Sequence, residues 1–189
     1  MNLQEVLKKR KMSIYRLSKI SGVPYATLND ICNGKTKLEK CSAETVYRIC
    51  RALNISMEQL LGPCFIKRSD FENFKSTICQ RLKEMGDIDF LMDTIEKEDI
   101  RTFFDWKWYP ESLYLLAMVD YLSRINNVPL DKEYDDIRKC KLKETIYPQS
   151  ILAIAAVEGN DSALKEAKKE SIPEFLRFNI VESEIRDVA

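Results

Sequence analysis

Apolar residues recur at three- and four-residue intervals along most of the chain, and they nowhere alternate for long enough to predict a strand. Leu3, Val6 and Leu7 predict a first helix running to about Met12, with Asn2 and Glu5 as its cap. Leu17 and Ile20 mark the inner face of a second helix, and Leu28 and Ile31 that of a third. Val46, Ile49, Cys50 and Leu53 predict a fourth. Ser56-Met57-Glu58-Gln59 has the capping-box pattern that opens a fifth, which Gly62-Pro63 should close. Residues 63–69 then read as a linker. Periodicity returns at Asp70–Met85, where Phe71, Phe74, Ile78 and Leu82 form one stripe. Asp87–Glu96 and Asp99–Trp108 predict shorter helices. The segment from Pro110, PESLYLLAMVDYLSRI, is apolar nearly all round, which predicts a buried central helix. Tyr134–Cys140 and Pro148–Glu158 predict two more. Ser171-Ile172-Pro173-Glu174 opens a last helix carrying Phe175, Phe178, Ile180 and Ile185. The pattern describes an all-α chain with a five-helix domain over 1–62 and a larger helical domain over 70–189.

The most closely punctuated stretch is Ser13 to Lys35. Ser13 can accept a free N–H at the head of one helix. Ser18 is small enough for a second helix to approach. Gly22 suits the left-handed residue that ends a helix. Pro24 suits the first turn of the next one, where its missing N–H costs nothing. Gly34 stops that helix. Two short helices joined by a tight turn, the second presented outward, form a helix-turn-helix, whose second helix enters the DNA major groove.

Leu17, Ser18, Gly22, Val23, Thr27, Leu28, Ile31 and the run Asn33-Gly34-Lys35 occur at the spacing of the Cro/CI-type (XRE) regulators, and SAETVYRICRALNISMEQLLG is similar to the last two helices of that family. Residues 1–62 therefore resemble a Cro/CI-type helix-turn-helix domain, over about a third of the chain. The resemblance implies a transcription regulator that binds an inverted-repeat operator in double-stranded DNA as a homodimer. It implies base-edge contacts from Tyr25, Ala26, Asn29 and Asp30, with Pro24 and Thr27 beside the DNA backbone. Ser13, Asn33, Lys35 and Lys37 match positions that hold phosphates. Two departures stand out: Ile14 replaces a frequent glutamine, which removes one expected DNA contact, and Cys32 replaces a frequent glutamate. Relatives with a helical second domain include antitoxins, which repress their own operon and neutralise a toxin. The resemblance thus implies a repressor, with a toxin as the protein partner of the second domain.

Charge sharpens this picture. The whole chain is neutral, with 30 Lys+Arg against 30 Asp+Glu. Residues 1–62 carry 11 basic against 5 acidic residues, a net of +6, and residues 63–189 carry 19 against 25, a net of −6. The basic end suits a polyanion, and the acidic end argues against DNA wrapping the whole protein. The run Lys8-Lys9-Arg10-Lys11 suits both a helix C-terminus and phosphate contact. No metal or cofactor is expected, because the chain has no histidine, no CxxC pair and no phosphate-binding glycine loop. Catalysis is not expected either. Asp135 and Asp136 are adjacent and would point apart on a helix, and Asp120 in the apolar segment reads as bonded to a tyrosine or paired with Arg124. The six cysteines read as free thiols in the cytoplasm, with Cys32 and Cys50 as small core residues. Asn2–Met12 is too basic and amphipathic for a signal peptide, and no stretch reaches the roughly 20 apolar residues of a membrane span. Trp106, Trp108, Tyr109 and Tyr114 crowd one region and read as core first, partner surface second. The competing reading is a protein-binding adaptor whose helix-turn-helix no longer reads DNA.

Overall fold

Among the described residues, serine or aspartate side chains cap four α-helices, at Ser13, Ser42, Ser56 and Asp70, and left-handed residues end three, at Gly22, Asn54 and Gly159. The computed structural model describes residues 3–185, in which there are twelve α-helices, three short 3₁₀ turns and no strands. The first helix cap expected at Asn2 lies outside the described residues. The chain divides into two units, Met1–Arg68 and Ser69–Ala189.

The first unit holds α1 (Leu3–Lys9), α2 (Ile14–Ser21), α3 (Tyr25–Cys32), a 3₁₀ turn (Leu38–Lys40), α4 (Ala43–Leu53) and α5 (Met57–Phe65). Ser13, Ser42 and Ser56 each accept an N–H from the residue three places on. Gln59 also reaches back to the Ser56 N–H at 3.0 Å, completing the capping box. Leu3, Val6, Leu7, Leu17, Leu28, Ile49, Leu53 and Leu60 close one core. Burial, and next the Glu58 charge, push the Cys50 thiol up to about 11, so it packs there as a neutral group.

Two local expectations fail in this unit. Ile20 is 54% exposed, and the inward place beside Leu17 belongs to Ser21. Helix α5 continues through Gly62-Pro63 to Phe65 instead of stopping there. Pro63 removes a single N–H from the ladder, and the next turn still closes where the Ile66 N–H donates to the Gly62 carbonyl at 2.8 Å.

The second unit is organised by α9 (Tyr109–Ile125), in which every residue from Glu111 to Asp120 is buried. Around it pack α6 (Phe71–Met85), α7 (Asp87–Glu96), α8 (Asp99–Asp105) and α12 (Pro173–Leu176). Trp106 and Tyr114 are core, in a chain of aromatic contacts through Phe103, Phe74 and Phe71, while Tyr109 is 41% exposed. Tyr134–Cys140 is not one helix but two 3₁₀ turns, Lys132–Tyr134 and Ile137–Lys139. The last helix stops at Leu176, because Asn179 turns left-handed (φ 65°) and Ile180 pairs with Ile146 in an isolated parallel bridge. Between them lie α10 (Gln149–Glu158) and α11 (Ser162–Glu170), the latter not expected from the apolar pattern.

Asp120 is 2% exposed and bonds neither a tyrosine nor Arg124. Its carboxylate meets the Arg138 guanidinium, at 2.8 Å from Nη2, and Arg177. Arg124 pairs instead with Glu174 at 2.6 Å. Asp120 thus ties the central helix to two segments distant in sequence. Arg138 is itself nearly buried, and although it also meets Asp135 and the Asp131 carbonyl, Asp120 is, among the described residues, its only partner that is buried too, so neutralising Asp120 leaves the inner side of the guanidinium without a counter-charge. Asp120→Asn is expected to destabilise the second unit by about 3 kcal/mol in urea unfolding followed by circular dichroism.

Candidate nucleic-acid interface

The turn between α2 and α3 is held by two serine hydroxyls. Gly22 ends α2 at φ 70°, and its N–H donates to the Ser18 carbonyl. The Ser18 hydroxyl donates to the Val23 carbonyl at 2.7 Å. The buried Ser21 hydroxyl donates to the Leu17 carbonyl at 2.7 Å and accepts the Val23 N–H at 3.2 Å. Val23 is buried, so both its backbone groups need these partners. A Cβ on Gly22 would meet nothing closer than Arg48 Nη1 at 3.5 Å, so the backbone conformation, not space, calls for glycine. Pro24 follows at φ −56° and opens α3.

Helix α3 then turns about 100° per residue. Leu28 and Ile31 face the core. On the opposite side Tyr25, Asn29, Asn33, Ala26 and Asp30 fall within about 140° of one another. Tyr25 is 51% exposed, Ala26 and Asn33 are exposed, and Thr27, Asn29 and Asp30 are half-buried. Among the described residues the Asn29 side-chain amide has no hydrogen bond, which leaves its donor and acceptor pair available.

The end of α3 organises the loop that follows. The Asp30 carbonyl accepts the N–H groups of Lys35 (2.9 Å) and Thr36 (3.1 Å), which folds the loop back on the helix. The Asp30 carboxylate lies 3.9 Å from the Lys35 ammonium, and the pair is open to solvent, the Lys35 side chain at 72% and the Asp30 side chain at 44% exposure. Such a pair is worth about 0–1 kcal/mol and yields easily to a phosphate. Lys35 and Lys37 are exposed. Ser13 caps α2 by accepting the Arg16 N–H at 3.1 Å, so its own hydroxyl proton is still free to donate. The structure therefore groups Pro24, Tyr25, Ala26, Thr27, Asn29, Asp30, Asn33 and Lys35 on or just beyond one helix. Ser13 stands at the head of α2, and Lys37 just before the 3₁₀ turn. Ile14 and Cys32, the two departures, are half-buried and pack against the core, and burial raises the Cys32 thiol pKa.

Residues 2–63 match the family model of the Cro/C1-type HTH DNA-binding domain. The first unit is a Cro/C1-type helix-turn-helix domain. A domain of this family suggests a DNA-binding regulator. No curated protein and no solved structure matches the chain. The match does not reach the second unit, so nothing in it assigns that unit a role. No helix among the described residues is long and apolar enough to cross a membrane.

Ser21 is the contributor that apolar periodicity passed over. Its signal was a serine four residues after Leu17, directly before the helix-ending glycine, where a hydroxyl can reach back one turn. Ser21→Ala leaves the buried Val23 N–H without a partner. The helix-turn-helix domain should lose about 1–3 kcal/mol, read from the urea midpoint at unchanged slope.

Proposed function

We propose that this protein is a sequence-specific transcription regulator of the cytoplasm that represses by occupying an inverted-repeat operator as a homodimer. The observation that carries the reading is the divided surface of α3, with Leu28 and Ile31 buried and Tyr25, Ala26 and Asn29 on the opposite side. In a major groove, the Asn29 amide suits adenine, which offers one acceptor and one donor on the same edge. Tyr25 and Ala26 suit the methyl group of thymine, and Asp30 suits the cytosine amino group. Ser13, Asn33, Lys35 and Lys37 would hold phosphates on either side, with Pro24 and Thr27 against the sugar-phosphate chain. Phosphate contacts set the position and base contacts choose the sequence. Two copies on an inverted repeat place their recognition helices about one helical turn apart, which multiplies the discrimination of each. Repression needs only occupancy, because a protein seated on an operator that overlaps a promoter excludes polymerase.

The finer form of the proposal makes this repressor the antitoxin of a toxin–antitoxin pair. Its support is the charge division of the chain. The half with a net of −6 suits a basic protein, while the half with a net of +6 is left for DNA.

Binding to DNA selected from a random library tests the central reading. Asn29→Ala should relax the preference at one base pair per half-site, by about 1–3 kcal/mol. Lys35→Ala should weaken binding to every sequence alike and reduce the slope of log affinity against log salt by about 1. If the library yields no preferred sequence, or if binding is insensitive to salt, the adaptor reading replaces this one.

A further inference from the structure

Helix α10 has the composition of a buried helix and the exposure of a surface one. Ile151 to Val157 are seven apolar residues in succession, which cover every side of two turns. Yet no residue of α10 is buried: Val157 is 88% exposed, Leu152 47% and Ile154 45%. Its chief neighbour is α11, which is polar over most of its length. A helix that is apolar all round calls for a cover.

The charges around it say what the cover is. Only three residues, Gly159 to Asp161, separate α10 from α11, so the two helices run antiparallel as a hairpin. Its closed end carries Glu158 and Asp161, and its open end carries Lys168, Lys169 and Glu170. Between them Lys165 and Glu166 balance. One end is thus negative and the other positive, while the whole hairpin, with three lysines and four acids, is nearly neutral. A basic partner would look for an acidic rim, and an anionic membrane for a basic one. A second copy of the same hairpin, turned end for end, matches acid to lysine at both ends and apolar to apolar between. That is the self-complementarity of a two-fold contact.

We infer that the α10–α11 hairpin is the surface on which two copies of this chain pair, antiparallel, through the side of α10 that carries the exposed Leu152, Ala153, Ala156 and Val157. The inference takes from the proposed function only the need for a second copy.

Sedimentation of the full chain tests it. The wild type sediments as a dimer at micromolar concentration. The double variant Leu152→Asp with Val157→Asp sediments as a monomer with unchanged far-ultraviolet circular dichroism. A second pair of variants tests the register. Glu158→Lys with Asp161→Lys, and separately Lys168→Glu with Lys169→Glu, each make both ends of the hairpin alike in sign and weaken the dimer. Mixing those two proteins restores it as a heterodimer. A monomeric wild type, a dimeric aspartate variant, or a mixture that stays apart overturns the inference. DNA binding is scored separately. The monomeric variant still binds a single half-site if the α3 reading holds. If no form binds DNA while the dimer behaves as described, the function fails and the pairing surface stands.

Discussion

Helix α3 must bury one side and keep the other wet. That division is the constraint on which the first unit is built. Leu28 and Ile31 enter a core shared with Leu17 and Val23, and a buried leucine is worth about 1.5–3 kcal/mol against leaving it in water. Eight residues are too few for a stable helix in isolation, so this packing, with the serine-held turn before it, keeps α3 helical. The exposed side chains on the other side, Tyr25 and Ala26, add little to that core and are free to be chosen by a ligand. Because the helix is ordered before any partner arrives, a base contact need not also meet the cost of ordering the backbone.

The second unit solves a different problem. A central helix buried over ten consecutive residues must still admit Asp120, and two arginines from distant segments neutralise it. A buried ion pair of this kind adds little net stability over an apolar replacement, but removing one partner is costly. Its effect is to fix which segments dock on α9. Helix α10 stands outside this arrangement. It has the apolar content of α9 without the surrounding helices that cover α9, and its chief neighbour is α11.

Most of the helix-turn-helix was legible in the chain because its signals are local. Ser13, Gly22 and Pro24 act within three or four residues of themselves, and helix spacing does the rest. Ile20 was misplaced for a physical reason. Positions 20 and 21 both lie near the inner edge of α2, and the turn needed a hydroxyl at 21 more than an alkyl group at 20. The partners of Asp120 were not legible, since Arg138 and Arg177 are 18 and 57 residues away and no periodicity links them. Helix α11 escaped because it has little apolar stripe to display. Its Ala, Leu, Lys and Glu content was the available signal, as these are strong helix formers. The one-helix reading of Tyr134–Cys140 failed where Arg138 reaches back to the Asp131 carbonyl and to Asp120, contacts that favour two tight turns over a straight helix.

Under the proposed function, the outward side of α3 reads base edges from the major groove. Dimethyl sulfate probes it directly, since it methylates guanine at N7 in the major groove and adenine at N3 in the minor groove. On its preferred DNA the protein should shield guanine N7 in two patches about one helical turn apart, and leave adenine N3 reactive between them. Shielding confined to adenine N3, or none at either atom in fully bound DNA, would contradict the account.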